Sequence, residues 1–423
     1  VSSMGPEAVA AVGLTTQPKF IGLCIFIATN VSVSALVARR RGEKDQYGAN
    51  QVLLMAAAFT LAVGTLISMA CVFFADPIIR LCGANEDTQA GAVRYFQIIM
   101  GGMMFNIISM AINAAQRGAG NTKIAMQGAL QNLAAVIAMR TNVTSNVVNM
   151  IGNYLLIQGN LGFPRLGITG AALATVAAQA VSVVCAVVML LKKHLPFKIQ
   201  KSDFRFNLQC RKFLGIGLPL ALQEFLTQVS FLALCAFVNR LGLEASSGYG
   251  VASKIVNFAM LIPSSLMQSM ASFVSQNMGA GNPKRAKKAM FTGIGIGLAF
   301  GCAMFALVFF RGDLLSNVFT TDAAVIQNAF AYLKGFAPET LATAVLFSMV
   351  GYFNGSDKTV WVMVQGLVQT LLVRLPMAYI MSIQPNANLT MIGLAAPTST
   401  VVGIVLNVCF FLALERRSKK AAV

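Results

Sequence analysis

Apolar residues fall in long runs, separated by short polar and charged segments. A run of about 20 apolar residues makes a helix long enough to cross a hydrocarbon core of roughly 30 Å. Eleven such runs are read, near residues 11–37, 50–75, 93–116, 139–158, 166–191, 213–239, 246–272, 289–310, 326–353, 359–382 and 391–414. The pattern predicts an all-α, polytopic membrane protein with no sheet, because only helices or closed barrels satisfy their backbone groups in lipid.

The pattern also repeats. Val1–Thr122 lies against Val238–Thr359 at a fixed offset of 237 residues. VSSMGPEA at Val1 meets VNRLGLEA at Val238, Gly42 meets Gly279, Asp76 meets Asp313, Tyr95 meets Tyr332 and Gly118 meets Gly355. Internal duplication in an apolar chain is a mark of transporters built from two halves. The halves are read as residues 1–191 and 213–423, joined by a basic cytoplasmic linker at 192–212. Equivalent loops carry like charge, so both copies face the same way. The expected architecture is two parallel six-helix lobes related by a pseudo-twofold axis. The run Phe213–Val238 has no counterpart before Val1, so a first helix is expected to be missing from the chain as given. After Thr122 the offset drops to 225, with Tyr154 matching Tyr379. The first half therefore carries an insert, assigned to 127–138, that either prolongs a helix or lies at the interface.

Composition agrees. The chain is 57% hydrophobic and 11% charged, with a mean hydropathy of +0.70, whereas soluble domains carry about 25% charge. The net charge of +18 would fit nucleic acid, but its placement excludes that. Loops on one side of the expected membrane hold 22 Lys and Arg, including Arg39, Arg40, Arg41, Lys284, Arg285 and Arg417; the other side holds 4, namely Arg80, Arg165, Arg240 and Arg311. That bias makes the first side, and the C-terminus with it, cytoplasmic. The eight cysteines form no CxxC pair, and the single histidine, His194, sits in the linker, so neither a metal site nor a disulfide framework is expected.

Several segments carry a resemblance: GPEAVAAVGL at Gly5, QRGAGNTK at Gln116, NVVNMIGNYLLI at Asn146, GFPRLGITGAALAT at Gly162, GIGLPLALQ at Gly215, GYGVASKIVNFAMLIP at Gly248 and SFVSQNMGAGNPKRAKKA at Ser272. Together they resemble the bacterial branches of the multidrug and toxic compound extrusion (MATE) transporters. The resemblance implies twelve helices in two lobes, and export of amphipathic organic cations driven by inward flow of protons or sodium.

A carboxylate inside a span is costly, and is by default a candidate for function. Glu224 and Glu339 are the two acids placed there. Thr227 and Gln228 follow Glu224 on the same helix face, and the three are expected to hold a hydrated cation or a proton. The family keeps an acid on this helix, often one turn later, where Thr227 stands. Glu339 is either a helix-start carboxylate favoured by the dipole or a coupling residue; relatives often have an acid deeper, near Ala344. Lys254 and Asn257 share a face and resemble the family's eighth helix, and Lys254 is expected to pair with Glu224 or Glu339. Arg374 also matches a family pattern. Asn149 and Asn153, four apart, stand where the family often has Asn then Asp, and are assigned with Arg374 to substrate binding. Lys19 is expected to snorkel outward.

The reading is thus a proton- or sodium-coupled antiporter, not an enzyme, without cofactor. Its partners are small organic cations and membrane lipids; the chain is expected to be monomeric, in a bacterial inner membrane. A lipid-linked oligosaccharide flippase of the same superfamily is the alternative. An intramembrane enzyme lacks its catalytic groups, since no HExxH and no intramembrane histidine occur.

Overall fold

A computed structural model describes residues 6–82, 86–119, 133–192, 208–385 and 387–420. Residues 127–132 of the insert, His194 and most of the linker lie outside the described residues; 133–138 form the start of a helix. Among the described residues every element is helical. Among the described residues, nine helices are long and apolar enough to cross a membrane, and a bent pair brings the number to ten. Each of the eleven apolar runs falls on a helix, or a helix pair, of this fold.

The chain divides into two compact units, Val1–Ala221 and Leu222–Val423. The first contains α1 (Pro6–Gly42), α2 (Gln46–Phe73), α3 (Ala75–Leu81), α4 (Glu86–Gly101), α5 (Met103–Ala119), α6 (Leu133–Gln158) and α7 (Gly167–Lys192). Helices α4 and α5 are the bent pair, at 42°. The core of this unit gathers Phe26, Ile79, Phe96, Met100 and Ile107, all at most 2% exposed.

The second unit takes most of α8 (Leu208–Asn239), then α9 (Leu243–Gly279), α10 (Pro283–Asn317), α11 (Ala323–Gly355), α12 (Thr359–Leu367), a π-helical stretch Val368–Arg374, α13 (Leu375–Ser382) and α14 (Leu389–Lys420). Its core holds Tyr249, Tyr332, Leu333, Phe336 and Ile392. Tyr249 and Tyr332 meet edge to face at 5.0 Å, an arrangement aromatic quadrupoles favour.

The repeat survives in three dimensions. Helices α1 and α9 begin and end 237 residues apart. The break after α2 falls at Phe74, and α10 breaks at Arg311, again 237 apart. Close contacts repeat as well. A Cβ on Gly118 would stand 2.4 Å from the Ser34 carbonyl oxygen, and one on Gly355 would stand 2.6 Å from that of Ala271. Both pairs obey the same offset. These glycines let the ends of α5 and α11 press on the neighbouring helix, the small-residue packing that replaces hydrophobic drive in lipid.

The π stretch has a local cause. Pro376 follows it, lacking an N–H and carrying a ring that clashes with the carbonyl four residues earlier. Widening the preceding turn relieves that clash. The Leu375 N–H accordingly reaches back five residues to the Thr370 carbonyl.

Candidate functional site

Glu339 sits in the middle of α11, which begins at Ala323, sixteen residues earlier. It is not a helix-start carboxylate; Pro338 lies inside the helix rather than opening it. Its Oε1 accepts a hydrogen bond from Thr400 Oγ1 of α14 at 2.8 Å. Its Oε2 is buried with no partner. A sealed carboxylate oxygen without a donor is costly, and it is the atom at which a proton or small cation would be most strongly favoured.

Thr400 is fully buried and extends the contact. Its oxygen accepts from Gln369 Nε2 at 3.0 Å, and Gln369 Oε1 accepts from Gln365 Nε2 at 2.6 Å. Three side chains from three elements, α14, the π stretch and α12, therefore line up behind one carboxylate oxygen. Gly403 makes room for them, since a Cβ there would lie 2.6 Å from Gln365 Nε2 and 2.7 Å from Gln369 Oε1. The Thr343 hydroxyl donates to the Glu339 backbone carbonyl at 2.5 Å and also lies near the carboxylate. Arg374, at the end of the π stretch, forms no ion pair with Glu339 within 4 Å. Its guanidinium lies over the Phe231 ring at 4.4 Å, and its charge acts on Glu339 and Tyr332 from farther off.

The other expected residues divide. Glu224, half-buried on α8, accepts from Gln228 Nε2 at 3.0 Å. Thr227 does not join them, because its hydroxyl donates to the Gln223 carbonyl at 2.8 Å, the back-bond common in membrane helices. The expected pairing of Lys254 is corrected: among the described residues no ion pair joins it to Glu224 or Glu339. Lys254 is exposed, with its ammonium 5.7 Å from the Phe319 ring. An aromatic face supplies partial compensation without burying a second charge. Asn257, one turn on, is exposed. Lys19 lies near the Phe20 ring at 5.4 Å.

In the first unit, Asn153 Nδ2 donates to Asn149 Oδ1 at 2.9 Å, and Asn149 Nδ2 donates to Thr175 Oγ1 of α7 at 3.1 Å. Asn153 Oδ1 is buried without a partner. The two asparagines thus share a face as expected, with one free acceptor that suits a hydrogen-bond donor on a ligand. Sequence reasoning missed Thr175, Thr400, Gln365 and Gln369. The spacing of the two glutamines, four apart, is the one local signal that was present.

Near the end of α5, Arg117 is half-buried and its Nη2 donates to Asn30 Oδ1 of α1 at 2.7 Å. Burial pushes its guanidinium pKa down from the usual range.

Comparison with known proteins agrees with this architecture. The sequence profile of the MatE family matches residues 1–155 and 219–380. The probable multidrug resistance protein YoeA of Bacillus subtilis is 24% identical over 411 residues, covering 95% of this chain and 85% of that protein. A protein of Shewanella oneidensis named an FAD transporter is 26% identical over 418 residues, covering 98% and 88%. Among solved structures, an outward-facing multidrug resistance MATE transporter superposes with a TM-score of 0.88 at 21% identity, covering 98% of this chain and 90% of that one. A transporter from Pyrococcus furiosus, described as having a binding pocket of reversed polarity, gives 0.88 at 21% over the same shares. The family profile covers well over half the chain, the helices repeat as two halves, and a buried carboxylate is held among them: the chain belongs to the MatE, or multidrug and toxic compound extrusion, family of membrane transporters.

Proposed function

We propose that this protein exports amphipathic organic cations by alternating access, in exchange for protons or sodium ions, with Glu339 as the coupling carboxylate. The observation that carries the reading is Glu339 Oε2, buried without a partner beside an Oε1 held by Thr400. Such an oxygen binds a proton or cation strongly in one conformation and loses it when the surroundings change. The ion drives the cycle only through its different affinity for the two states. Glu224, with Gln228 as its donor, is carried as a second carboxylate of the same unit. Asn149 and Asn153 offer neutral hydrogen-bonding positions to substrate in the other. The basic loops are assigned to the cytoplasm of a bacterial inner membrane, with the C-terminus inside. One relative is named an FAD transporter, so an anionic dinucleotide belongs on the substrate panel.

The test uses proteoliposomes with proton and sodium gradients imposed separately, a fluorescent organic cation and FAD as substrates, and Glu339→Gln and Glu224→Gln beside wild type. Gradient-driven export of the organic cation that disappears in Glu339→Gln supports the reading. Export of FAD alone, or full coupling in Glu339→Gln, overturns it.

A further inference from the structure

We propose that Gln369 is a positioning residue for Glu339, and that the π-helical turn 368–374 is the element through which the state of that carboxylate moves the helix around it. This deepens the coupling reading above and rests on it.

An ionised carboxylate only accepts hydrogen bonds. The Thr400 hydroxyl spends its one hydrogen on Glu339 Oε1. Its oxygen must then accept from elsewhere, and Gln369 Nε2 is the donor. With that amide so oriented, Gln369 Oε1 faces Gln365 Nε2. All three donors therefore point toward one carboxylate oxygen, the order that an ionised, acceptor-only group demands. Gln365 and Thr400 are 1% and 0% exposed, so water cannot replace a lost partner.

Occupancy reverses this demand. A cation on the carboxylate draws the lone pairs of Thr400, so its hydrogen turns away. A proton shared onto Oε1 makes Glu339 the donor to Thr400. In both cases Thr400 has less use for the Gln369 N–H, and the amide has to swing. Gln369 is the second residue of the π stretch, where one extra residue per turn leaves the backbone able to slip between two registers. The absence of a side chain at Gly403 is what admits both amides here, since a Cβ would meet Gln365 Nε2 and Gln369 Oε1. The charged and titratable groups bearing on Glu339 are Arg374 from the π stretch and Tyr332 from its own helix; Tyr249 of α9 and Cys235 of α8 stand behind Tyr332. None of them donates a hydrogen bond to the carboxylate, whereas Thr400 at the head of the relay does.

The chain supplies its own reporter. Trp361 is the single tryptophan and lies on α12, one turn before Gln365. It donates to Asn407 Oδ1 at 2.9 Å and stacks on Phe410 at 4.1 Å, both on α14. Any shift of the π turn against α14 changes that stack.

The experiment follows Trp361 emission of the full chain in lipid nanodiscs as pH is lowered or sodium is added. Wild type should show a transition, and Glu339→Gln should abolish it. Gln369→Leu and Thr400→Val, both close in shape, should remove it or displace its midpoint at least tenfold, and Thr400→Ser should restore it. Wild-type titrations from both Gln369→Leu and Thr400→Val overturn the relay while leaving Glu339 as coupling residue. A Thr400→Ser as defective as Thr400→Val also overturns it, since shape rather than the hydroxyl is then at work. A flat wild-type response with coupled transport intact overturns the π-turn movement. If Glu339→Gln titrates like wild type, the coupling reading fails, and the relay with it.

Discussion

Replacing Glu339 with glutamine should leave the fold at least as stable as wild type, which separates a coupling residue from a structural one. The change removes one charge and almost no volume. Thr400 Oγ1 still has an acceptor at the Oε1 position, now neutral, so a hydrogen bond worth about 1.5–3 kcal/mol to a charged group falls to about 0.5–1.5 kcal/mol. The new amide N–H groups occupy the site of Oε2, where no partner stands, at a cost of about 1–3 kcal/mol. Against this, an uncompensated buried charge, worth about 3–5 kcal/mol when stranded, disappears. The terms nearly cancel, with a balance of about 1 kcal/mol in favour of the variant. Arg374 loses little, because its guanidinium rests on Phe231 and not on the carboxylate. By the scaling of domains of 150–250 residues, that is a rise in Tm of about 2–4 °C. Thermal unfolding of detergent-purified protein, followed by monodispersity and intrinsic fluorescence, measures it. A fall of more than about 5 °C in Glu339→Gln would show that the carboxylate holds the helices together, and would refute the argument from its unpartnered oxygen.

Other outcomes follow from the same geometry. Gly118→Val and Gly355→Val should each destabilise by about 1–3 kcal/mol or more, since a Cβ meets a carbonyl oxygen at 2.4 and 2.6 Å; the Tm of purified protein and its yield report this for both halves. Lys254→Met should keep ion-coupled transport within about twofold of wild type, because no ion pair with either glutamate is lost and exposed contacts of this kind are worth about 1 kcal/mol or less; a vesicle efflux assay decides. Single cysteines at positions 284 and 358 should react only with label applied from the cytoplasmic side, and those at 240 and 311 only from outside, in intact and inverted vesicles.

Much of the fold was legible because two physical signals are long-ranged in sequence. Apolar runs mark spans wherever they occur, and a duplication keeps its register across helix ends, breaks and glycine contacts. The pairs Phe74 and Arg311, and Gly118 and Gly355, show that the offset extends to single residues. The site was legible only in part. Glu339 stood out because a carboxylate within a span is rare, yet Pro338 made it look like the start of a helix. The helix in fact runs straight through both. Thr400, Gln369 and Gln365 were invisible as a group, since they come from α14, the π stretch and α12 and only Thr400 touches Glu339, and ordinary polar residues in spans usually bond their own backbone, as Thr227 does. The π stretch left a trace only in Pro376. The pairing of Lys254 with an acid rested on charge alone, which says nothing about direction; the side chain points instead toward Phe319.

The most direct test of the account is whether ion and substrate displace one another at Glu339. Calorimetric titration of the purified transporter with an exported organic cation, in two buffers of different ionisation enthalpy and with or without sodium, measures the protons or sodium ions released on binding. The account predicts release by wild type and none by Glu339→Gln. Equal release from the two proteins would contradict it.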